Sequence, residues 1–183
     1  THRNEQGFTL VELLLVVAIV AIFSMVAIPS YQSTVLNNRM TSTANQFLGA
    51  LYFARSEAVK RSEEVRICTS NNTHLSLDSI SCVNSAGWHD GWVMWVDSNS
   101  NGALDAVEII KVGNEVDGDI TFYPTADVKN SLTFSRRGLV GVSGTWKLCD
   151  KRGKDRAKAI VISPSGRAKI STVDHLGGAL TCS

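Results

Sequence analysis

The hydrophobic pattern of the chain changes at two places, and the first segment is almost wholly apolar. Residues 13–28 read LLLVVAIVAIFSMVAI, sixteen residues in which Ser24 is the one polar side chain. With residues 8–11 in front, the apolar stretch reaches 21 residues and carries one charge, that of Glu12. About 20 apolar residues are enough for a helix to span a bilayer. This pattern predicts either a transmembrane helix or a secretory signal peptide.

Two features argue against the signal peptide. A carboxylate such as Glu12 costs about 2.5–3.5 kcal/mol at the centre of a bilayer on insertion scales, so its presence needs a specific reason. A signal peptide also ends in a small-residue cleavage site of the A-x-A type, and none follows Ile28. Instead, Pro29 leads directly into further sequence that is compatible with a helix.

Beyond Pro29 the pattern becomes amphipathic. Apolar residues recur at steps of three or four, which places them on one helical face: Leu36, Met40, Ala44, Phe47, Leu48, Leu51 and Ala58. The pattern predicts one long helix over residues 8–62, with residues 8–28 transmembrane and residues 29–62 amphipathic. We expect a kink near Pro29, because proline removes a backbone hydrogen bond.

From residue 63 onward the apolar period becomes about two, which is typical of β-strands. Along the strand predicted at residues 92–97, Trp92, Met94 and Val96 share one face, whereas Val93 and Trp95 share the other, so we expect this strand to be covered on both sides. The fold class predicted is α+β, a long N-terminal helix packed on an antiparallel, sandwich-like β domain at residues 63–183. The predicted strands are residues 65–69, 75–78, 92–97, 107–112, 120–123, 132–134, 145–148, 159–163 and 168–172.

Composition excludes a disordered chain, since 44% of the residues are hydrophobic and 19% are charged. The formal net charge of +1 hides an asymmetry. Residues 68–131 contain nine acidic and two basic residues, whereas residues 132–170 contain ten basic and two acidic ones. The basic segment is consistent with a solvated or inter-subunit surface, or with binding of nucleic-acid phosphates.

An acidic turn follows the strand predicted at residues 92–97. Its spacing matches that of a twelve-residue calcium loop, with glycine at the sixth position and oxygen ligands at the others: Asp97, Asn99, Asn101, Asp105 and Glu108. The flanking segments are predicted strands and not the two helices of an EF-hand. Asn, Asp and Gly are also ordinary turn residues. A metal-free hairpin turn and a Ca²⁺ site therefore both stay open, and no other cofactor is predicted.

The N-terminal residues Gly7-Phe8-Thr9-Leu10-Val11-Glu12, followed by the apolar run and Pro29, resemble the class III signal of type IV pilins and type II secretion pseudopilins. The resemblance implies that residues 1–7 are a leader, which a prepilin peptidase cleaves between Gly7 and Phe8. It also implies N-methylation of the Phe8 amine. Glu12 is then expected to face the N-terminal amine of a neighbouring subunit, which gives this apolar-segment carboxylate a cation as its partner.

The rest of the chain is similar to the FimT/GspH family of minor pilins and pseudopilins. The resemblance rests on GWVMWVD at residues 91–97, ARSEA at residues 54–58 and SGRAK at residues 165–169. It implies a minor pilin that supports pilus biogenesis, anchored by one helix in the bacterial inner membrane with its β domain in the periplasm, and later part of a pilus on the cell surface. Its partners are then other pilins, the prepilin peptidase and the membrane. A type II secretion pseudopilin is the alternative.

A third hypothesis is a DNA-binding pilin for natural transformation. Some FimT-type pilins bind DNA through a C-terminal Gly-Arg-x-Arg motif, and residues 166–169 match it with lysine in place of the last arginine. Lysine keeps the charge but loses the bidentate contact with phosphate. The residues predicted to bind DNA are Arg152, Lys154, Arg156, Arg167 and Lys169.

The four cysteines lie at positions 68, 82, 149 and 182, with spacings that do not suggest a zinc site. A pilin domain lies outside the cytoplasm, where disulfides persist. Of the three connectivities, the prediction is the local one, Cys68–Cys82 and Cys149–Cys182. No G-x-S-x-G context or glycine-rich phosphate loop is present, so the chain is not predicted to be an enzyme.

Overall fold

The computed structural model describes residues 8–116 and 118–182. Helix α1 spans Leu10–Arg61 and is followed by eight strands. The described chain divides into two compact units, one ending at Arg39 and the other beginning at Met40, so α1 contributes to both. The strands are β1 (Val65–Thr69), β2 (Trp92–Val96), β3 (Ile109–Gly113), β4 (Thr121–Pro124), β5 (Ser131–Phe134), β6 (Gly144–Cys149), β7 (Lys158–Ile162) and β8 (Ala168–Ser171).

The strands form two four-stranded antiparallel sheets. The first has the order β3-β2-β1-β5 and the second the order β4-β6-β7-β8. All pairings within them are antiparallel. The predicted fold class, a long N-terminal helix with antiparallel β structure, is confirmed. The predicted domain bounds stay a prediction, and the second half of α1 packs into the β unit as the predicted fold class requires.

The N-terminal unit is a helix with apolar side chains on every side. The large apolar side chains that the structure describes between Phe8 and Ile28 are all exposed, from 44% at Ile19 to 87% at Phe8. The helix assignment continues through Pro29, and the kink expected there stays a prediction. In length and composition α1 can cross a membrane.

The C-terminal unit is built around the second half of α1. Phe47 contacts four aromatic rings edge-on, with centroid distances of 5.4 Å to Trp88, 6.4 Å to Trp92, 5.3 Å to Phe122 and 5.2 Å to Trp146. Aromatic pairs prefer this geometry at such distances. Five residues of the predicted helical face are buried in the same core: Met40, Ala44, Phe47, Leu51 and Ala58. Leu36 and Leu48 of that face are half-buried, and the core also buries Ala50 and Ala54, which were not predicted.

Helix α1 ends in a hydrogen-bonded cap. Ser62 adopts a φ of 57°, in the left-handed region, and its N–H donates to the Val59 carbonyl at 3.3 Å. The N–H of Glu63 donates to the Ala58 carbonyl at 3.3 Å. These two bonds form a Schellman motif, which satisfies carbonyls that the last helical turn leaves open.

The outer face of each sheet is covered by an irregular segment that a disulfide fastens. On the first sheet, Val93 and Trp95 pack with Ile80, which lies in the loop that the Cys68–Cys82 disulfide closes. Strand β2 is therefore covered on both faces, as predicted. On the second sheet, Leu180 packs on Ala159 and Val161. The disulfides are Cys68–Cys82 and Cys149–Cys182, the two pairs that were predicted.

One predicted strand, at residues 75–78, is wrong. The structure has a 3₁₀ turn at Leu77–Ser79 inside the loop that the Cys68–Cys82 bridge closes. The Asn72 side chain organises this loop, since its amide nitrogen donates to the Ser79 carbonyl at 2.7 Å and its oxygen accepts from the Ser81 N–H at 3.3 Å. These local bonds replace the strand pairing that the apolar alternation indicated.

The C-terminal segment supplies the first testable prediction. Replacing both Cys149 and Cys182 by serine should lower the free energy of unfolding by about 2–4 kcal/mol, because the bridge restricts the unfolded chain and holds Leu180 on the sheet. Urea unfolding followed by tryptophan fluorescence measures this change. The single variant Leu180→Ala, which keeps the bridge, should lose less. An unchanged urea midpoint in the double serine variant would contradict the fastening role.

Candidate functional site

The first turn of α1 contains a reciprocal cap formed by Thr9 and Glu12. Glu12 Oε2 accepts from the Thr9 N–H at 3.1 Å and from the Thr9 hydroxyl at 3.0 Å, and the Glu12 N–H donates to Thr9 Oγ1 at 3.3 Å. This is the capping box of the pattern T-x-x-E, which satisfies helix N-terminal donors. The sequence interpretation missed it, although the three-residue spacing from Thr9 to Glu12 was the signal.

The cap shows what Glu12 does within a single chain. The contact predicted for it, with the Phe8 amine of a neighbouring subunit, involves a second chain and stays a prediction. The Phe8 side chain itself is exposed. Gly7, the predicted cleavage residue, lies outside the described residues, as does the rest of the predicted leader.

The calcium-like turn is held together by its own hydrogen bonds. Asp97 Oδ2 accepts from the Gly102 N–H at 2.9 Å. The side-chain amides of Asn99 and Asn101 donate to Asp105 Oδ2 at 2.8 Å and 3.0 Å. Within this network the two asparagines direct amide nitrogens, and not ligand oxygens, toward Asp105.

Glu108, the expected bidentate ligand, is buried and caps the turn. Its Oε1 accepts from the backbone N–H groups of Ser98 at 2.8 Å and Asn99 at 3.2 Å. In the part of the chain that the structure describes, no group of three or more His, Cys, Asp or Glu side chains is placed to hold a metal ion. The geometry favours the hydrogen-bonded turn. One observation favours a cation, since Asp97 Oδ1 is buried without a hydrogen-bond partner among the described residues.

The five residues predicted to bind DNA do not form one surface. Arg152 makes an internal ion pair, in which its Nε lies 3.1 Å and 3.0 Å from the two carboxylate oxygens of Asp150. The Asp150 side chain is 2% exposed. The hydrogen bonds from the Arg152 guanidinium outweigh burial, which acts in the opposite direction, and hold the pKa of the Asp150 carboxyl below its usual value of 3.8. Arg152 therefore neutralises a buried carboxylate within its own chain.

The other four predicted residues fall into two groups at different levels along α1. Lys154 and Arg156 precede β7, whose first residue, Lys158, donates from Nζ to Thr41 Oγ1 at 2.7 Å. Near Arg167 and Lys169, the Ala168 carbonyl accepts from the Tyr52 hydroxyl at 2.6 Å. Thr41 and Tyr52 are eleven residues apart on one helix, a separation of about 16 Å along its axis.

Two arginines that were not among the predicted site residues lie beside the second group. Arg136 and Arg137 are exposed in the turn after β5. The Val140 N–H donates to the Pro164 carbonyl at 3.1 Å, which joins this turn to the β7–β8 turn that precedes Arg167. Two turns that are distant in sequence meet here. The spacing of basic residues along the chain therefore could not predict that Arg136 and Arg137 lie beside the second group. We call Arg136, Arg137, Arg167 and Lys169 the distal basic group.

The comparisons with known proteins agree with this architecture. Residues 2–28 match the model of the prokaryotic N-terminal methylation motif, which places the chain in the class of proteins that carry this motif. Residues 43–166, more than half of the chain, match the family described as Type II transport protein GspH. The chain belongs to the GspH family.

Two curated relatives and two solved structures are similar to the chain. Two fimbrial proteins of Pseudomonas aeruginosa are each 36% identical over 75 residues, which is 41% of this chain and 49% of the relative. The chain thus spans about half the length of the curated relatives it matches. The P. aeruginosa type IV minor pilin FimU is 22% identical with a TM-score of 0.55, covering 73% of this chain and 89% of that one. The minor pseudopilin EpsH of the Vibrio cholerae Type 2 Secretion System is 10% identical with a TM-score of 0.50, covering 73% and 96%.

The acidic turn gives a prediction for metal removal. If Asp97 and its neighbours bind Ca²⁺, EDTA should lower the melting temperature of the full chain in detergent, because a ligand bound only to the folded state stabilises it. Asp97→Ala should then melt at the same temperature with and without EDTA. Differential scanning calorimetry measures both. Superimposable wild-type curves in excess Ca²⁺ and in EDTA would leave the segment as a metal-free turn.

The Asp150–Arg152 pair gives a prediction for pH. Because the pKa of Asp150 is lower in the folded chain, the pair contributes its full stability above the unfolded value of 3.8 and loses it as the pH falls through the folded value. Asp150→Asn should therefore lower stability at about pH 6 and show a smaller further loss between about pH 5 and pH 3 than the wild type. Urea titrations at these pH values measure it. An equal loss of stability between about pH 5 and pH 3 in the two proteins would contradict the role assigned to the pair.

Proposed function

We propose that the chain is a minor pilin, a structural subunit that is anchored in the bacterial inner membrane and then incorporated into a type IV pilus, whose assembly it helps to initiate. The single observation that carries the proposal is the exposed apolar surface of the first half of α1, joined to a β unit that buries one face of the second half. So much exposed apolar surface requires a lipid or protein environment. The methylation motif and the GspH family match support the same role.

The proposed mechanism has three steps. The peptidase cleaves between Gly7 and Phe8, the apolar helix holds the subunit in the membrane with the β unit in the periplasm, and assembly moves that helix from lipid into contact with neighbouring helices. At the last step, the Glu12 carboxylate binds the Phe8 amine of the adjacent subunit and so sets its register. The partners in this mechanism are other pilins, the prepilin peptidase and the inner membrane, and no step is enzymatic for this chain.

Incorporation into a type II secretion pseudopilus is the alternative location. The description of the family and the likeness to EpsH support it. The two fimbrial relatives support the pilus. Isolation of sheared surface filaments from the native host, followed by mass spectrometry for this chain, tests the pilus. Recovery of the chain only with the secretion apparatus would contradict it.

A second candidate function is DNA binding by the pilin. The exposure of all four residues of the distal basic group, and the junction of their two turns, favour it. Phosphate contacts carry no sequence information, so the binding proposed is independent of base sequence.

The first functional prediction separates the two roles of Glu12. Glu12→Gln should keep the capping box, because glutamine serves equally at this position, but should lose the charge. We expect membrane insertion to persist and the amount of chain in sheared filaments to fall several-fold, as measured by quantitative immunoblotting. Thr9→Val, which weakens the cap and keeps the carboxylate, should lose less.

Gly7→Ala serves as the processing control, since it should retain the leader and be absent from filaments, with the retained mass visible by mass spectrometry. Incorporation of Glu12→Gln at the wild-type level would mean that Glu12 acts only as a helix cap. Normal cleavage of Gly7→Ala would contradict the assigned processing site.

The second functional prediction concerns DNA. In a gel shift with the full chain in detergent, Arg167→Gln with Lys169→Gln should weaken binding to duplex DNA at low salt. Lys154→Gln with Arg156→Gln is the matched control, because it removes the same charge at the other level of α1 and should have less effect. Binding should fall steeply with added salt, since neutralised phosphates release counterions. The absence of any gel shift at low salt with excess DNA would contradict the proposed DNA binding.

A further inference from the structure

Strand β5 is at an edge of the first sheet, where β1 is its one partner among the described strands. The Thr69 N–H donates to the Asn130 carbonyl at 2.9 Å, one step along the ladder from the Cys68–Ser131 pair. Hydrogen-bonded and non-hydrogen-bonded pairs alternate along an antiparallel ladder. The N–H and C=O groups of Ser131 and Thr133 therefore point away from β1. No hydrogen bond between described residues engages these four groups.

The other three sheet edges carry features that hinder pairing with another chain. In β4, Pro124 has no N–H to donate. In β8, the Ala168 carbonyl accepts from the Tyr52 hydroxyl at 2.6 Å. Strand β3 carries the exposed Lys111, and its ladder with β2 contains a bulge. Proteins protect edge strands with proline, charged side chains, bulges and covering elements. The sequence of β5, SLTF, has no proline and no charge, and its ladder with β1 is regular, so β5 is the edge most open to another strand.

A polar groove of ≈ 320 Å³ lies beside this edge, on the outer face of the first sheet. The Arg66 guanidinium lies over the Trp95 ring at 5.1 Å, and the Trp95 indole N–H is buried without a hydrogen-bond partner among the described residues. One carboxylate and one guanidinium leave the lining without net charge, so the groove favours polar, uncharged side chains. Its hydrogen-bonding residues are Glu64, Arg66, Asn84, Trp95, Ser131 and Thr133.

We propose that the free edge of β5 binds an extended segment of another pilin in the assembled filament, which adds to the first sheet as a fifth strand. Only another main chain supplies donors and acceptors at the spacing of the four open groups, and in a filament the neighbouring subunits are the chains within reach. Main-chain hydrogen bonds give such a strand its affinity, and alternate side chains give its specificity. The side chains facing the groove are polar and uncharged. The inference rests on the filament incorporation that the proposed function includes.

Hydrogen–deuterium exchange, read residue by residue with fragmentation mass spectrometry, tests the added strand. The full chain in detergent is compared with the same chain in sheared filaments from the native host. The amides of Ser131 and Thr133 should exchange rapidly in detergent and many times more slowly in filaments, because pairing protects them from water. The Leu132 amide is the internal reference. It faces Ile67 in the ladder with β1 and should be protected in both samples.

A matched pair of variants at one position tests the main-chain contact. Thr133→Pro removes the N–H that points away from β1, and proline is tolerated in an edge strand when its N side faces outward. We expect several-fold less of this variant in filaments. Thr133→Val keeps the N–H and should be incorporated close to the wild-type level. The melting temperature of each variant in detergent shows whether it folds, and the exchange of the wild-type chain decides the matter if the proline variant does not.

Equally rapid exchange of the Ser131 and Thr133 amides in detergent and in filaments would overturn the proposal and leave the proposed function intact. Incorporation of a folded Thr133→Pro variant at the wild-type level would overturn it as well. Protection that appears in detergent as the concentration of the chain rises would assign the edge to a second copy of this chain instead of another pilin. Absence of the wild-type chain from filaments would refute the proposed function itself, so the two failures are distinguishable.

Discussion

The apolar side chains on the two halves of helix α1 need two different partners, and the rest of the structure follows from this constraint. The second half finds its partner within the chain, where Phe47 contacts Trp92 of the first sheet and Trp146 of the second. The first half has a similar excess of apolar surface and no such cover among the described residues. Lipid, and then neighbouring helices, are the environments that we propose for it.

The two sheets are supported in the same way on the side away from the helix. Each outer face carries a short irregular segment with one or two apolar side chains, Ile80 on the first sheet and Leu180 on the second. A disulfide ties each segment to a strand of the sheet that it covers, through Cys68 on β1 and Cys149 on β6. Covalent fastening compensates for the small apolar area that such short segments bury. Both outer faces of the β unit are thereby covered, whereas the apolar first half of α1 stays exposed.

The elements that the sequence predicted well are those defined by local periodicity. The long apolar and amphipathic runs of α1 and the alternation in β2 need no knowledge of distant contacts, and both are found as expected. The strand predicted at residues 75–78 was wrong because the Asn72 side chain, and not apolar alternation, decides that loop. In the basic segment, composition predicted the charge, but it could not show that Arg152 neutralises Asp150 or that β7 separates the remaining cations into two groups.

The central claim is that the exposed half of α1 exchanges lipid for neighbouring helices when the subunit is assembled. The most direct measurement places a photo-crosslinking amino acid at Val17, which is exposed in the middle of the apolar stretch. In membranes of cells blocked in filament assembly, the account predicts crosslinks to lipid. In sheared filaments it predicts crosslinks to the N-terminal helix of another pilin subunit. Recovery of the chain in filaments with Val17 still crosslinked to lipid alone would contradict the claim.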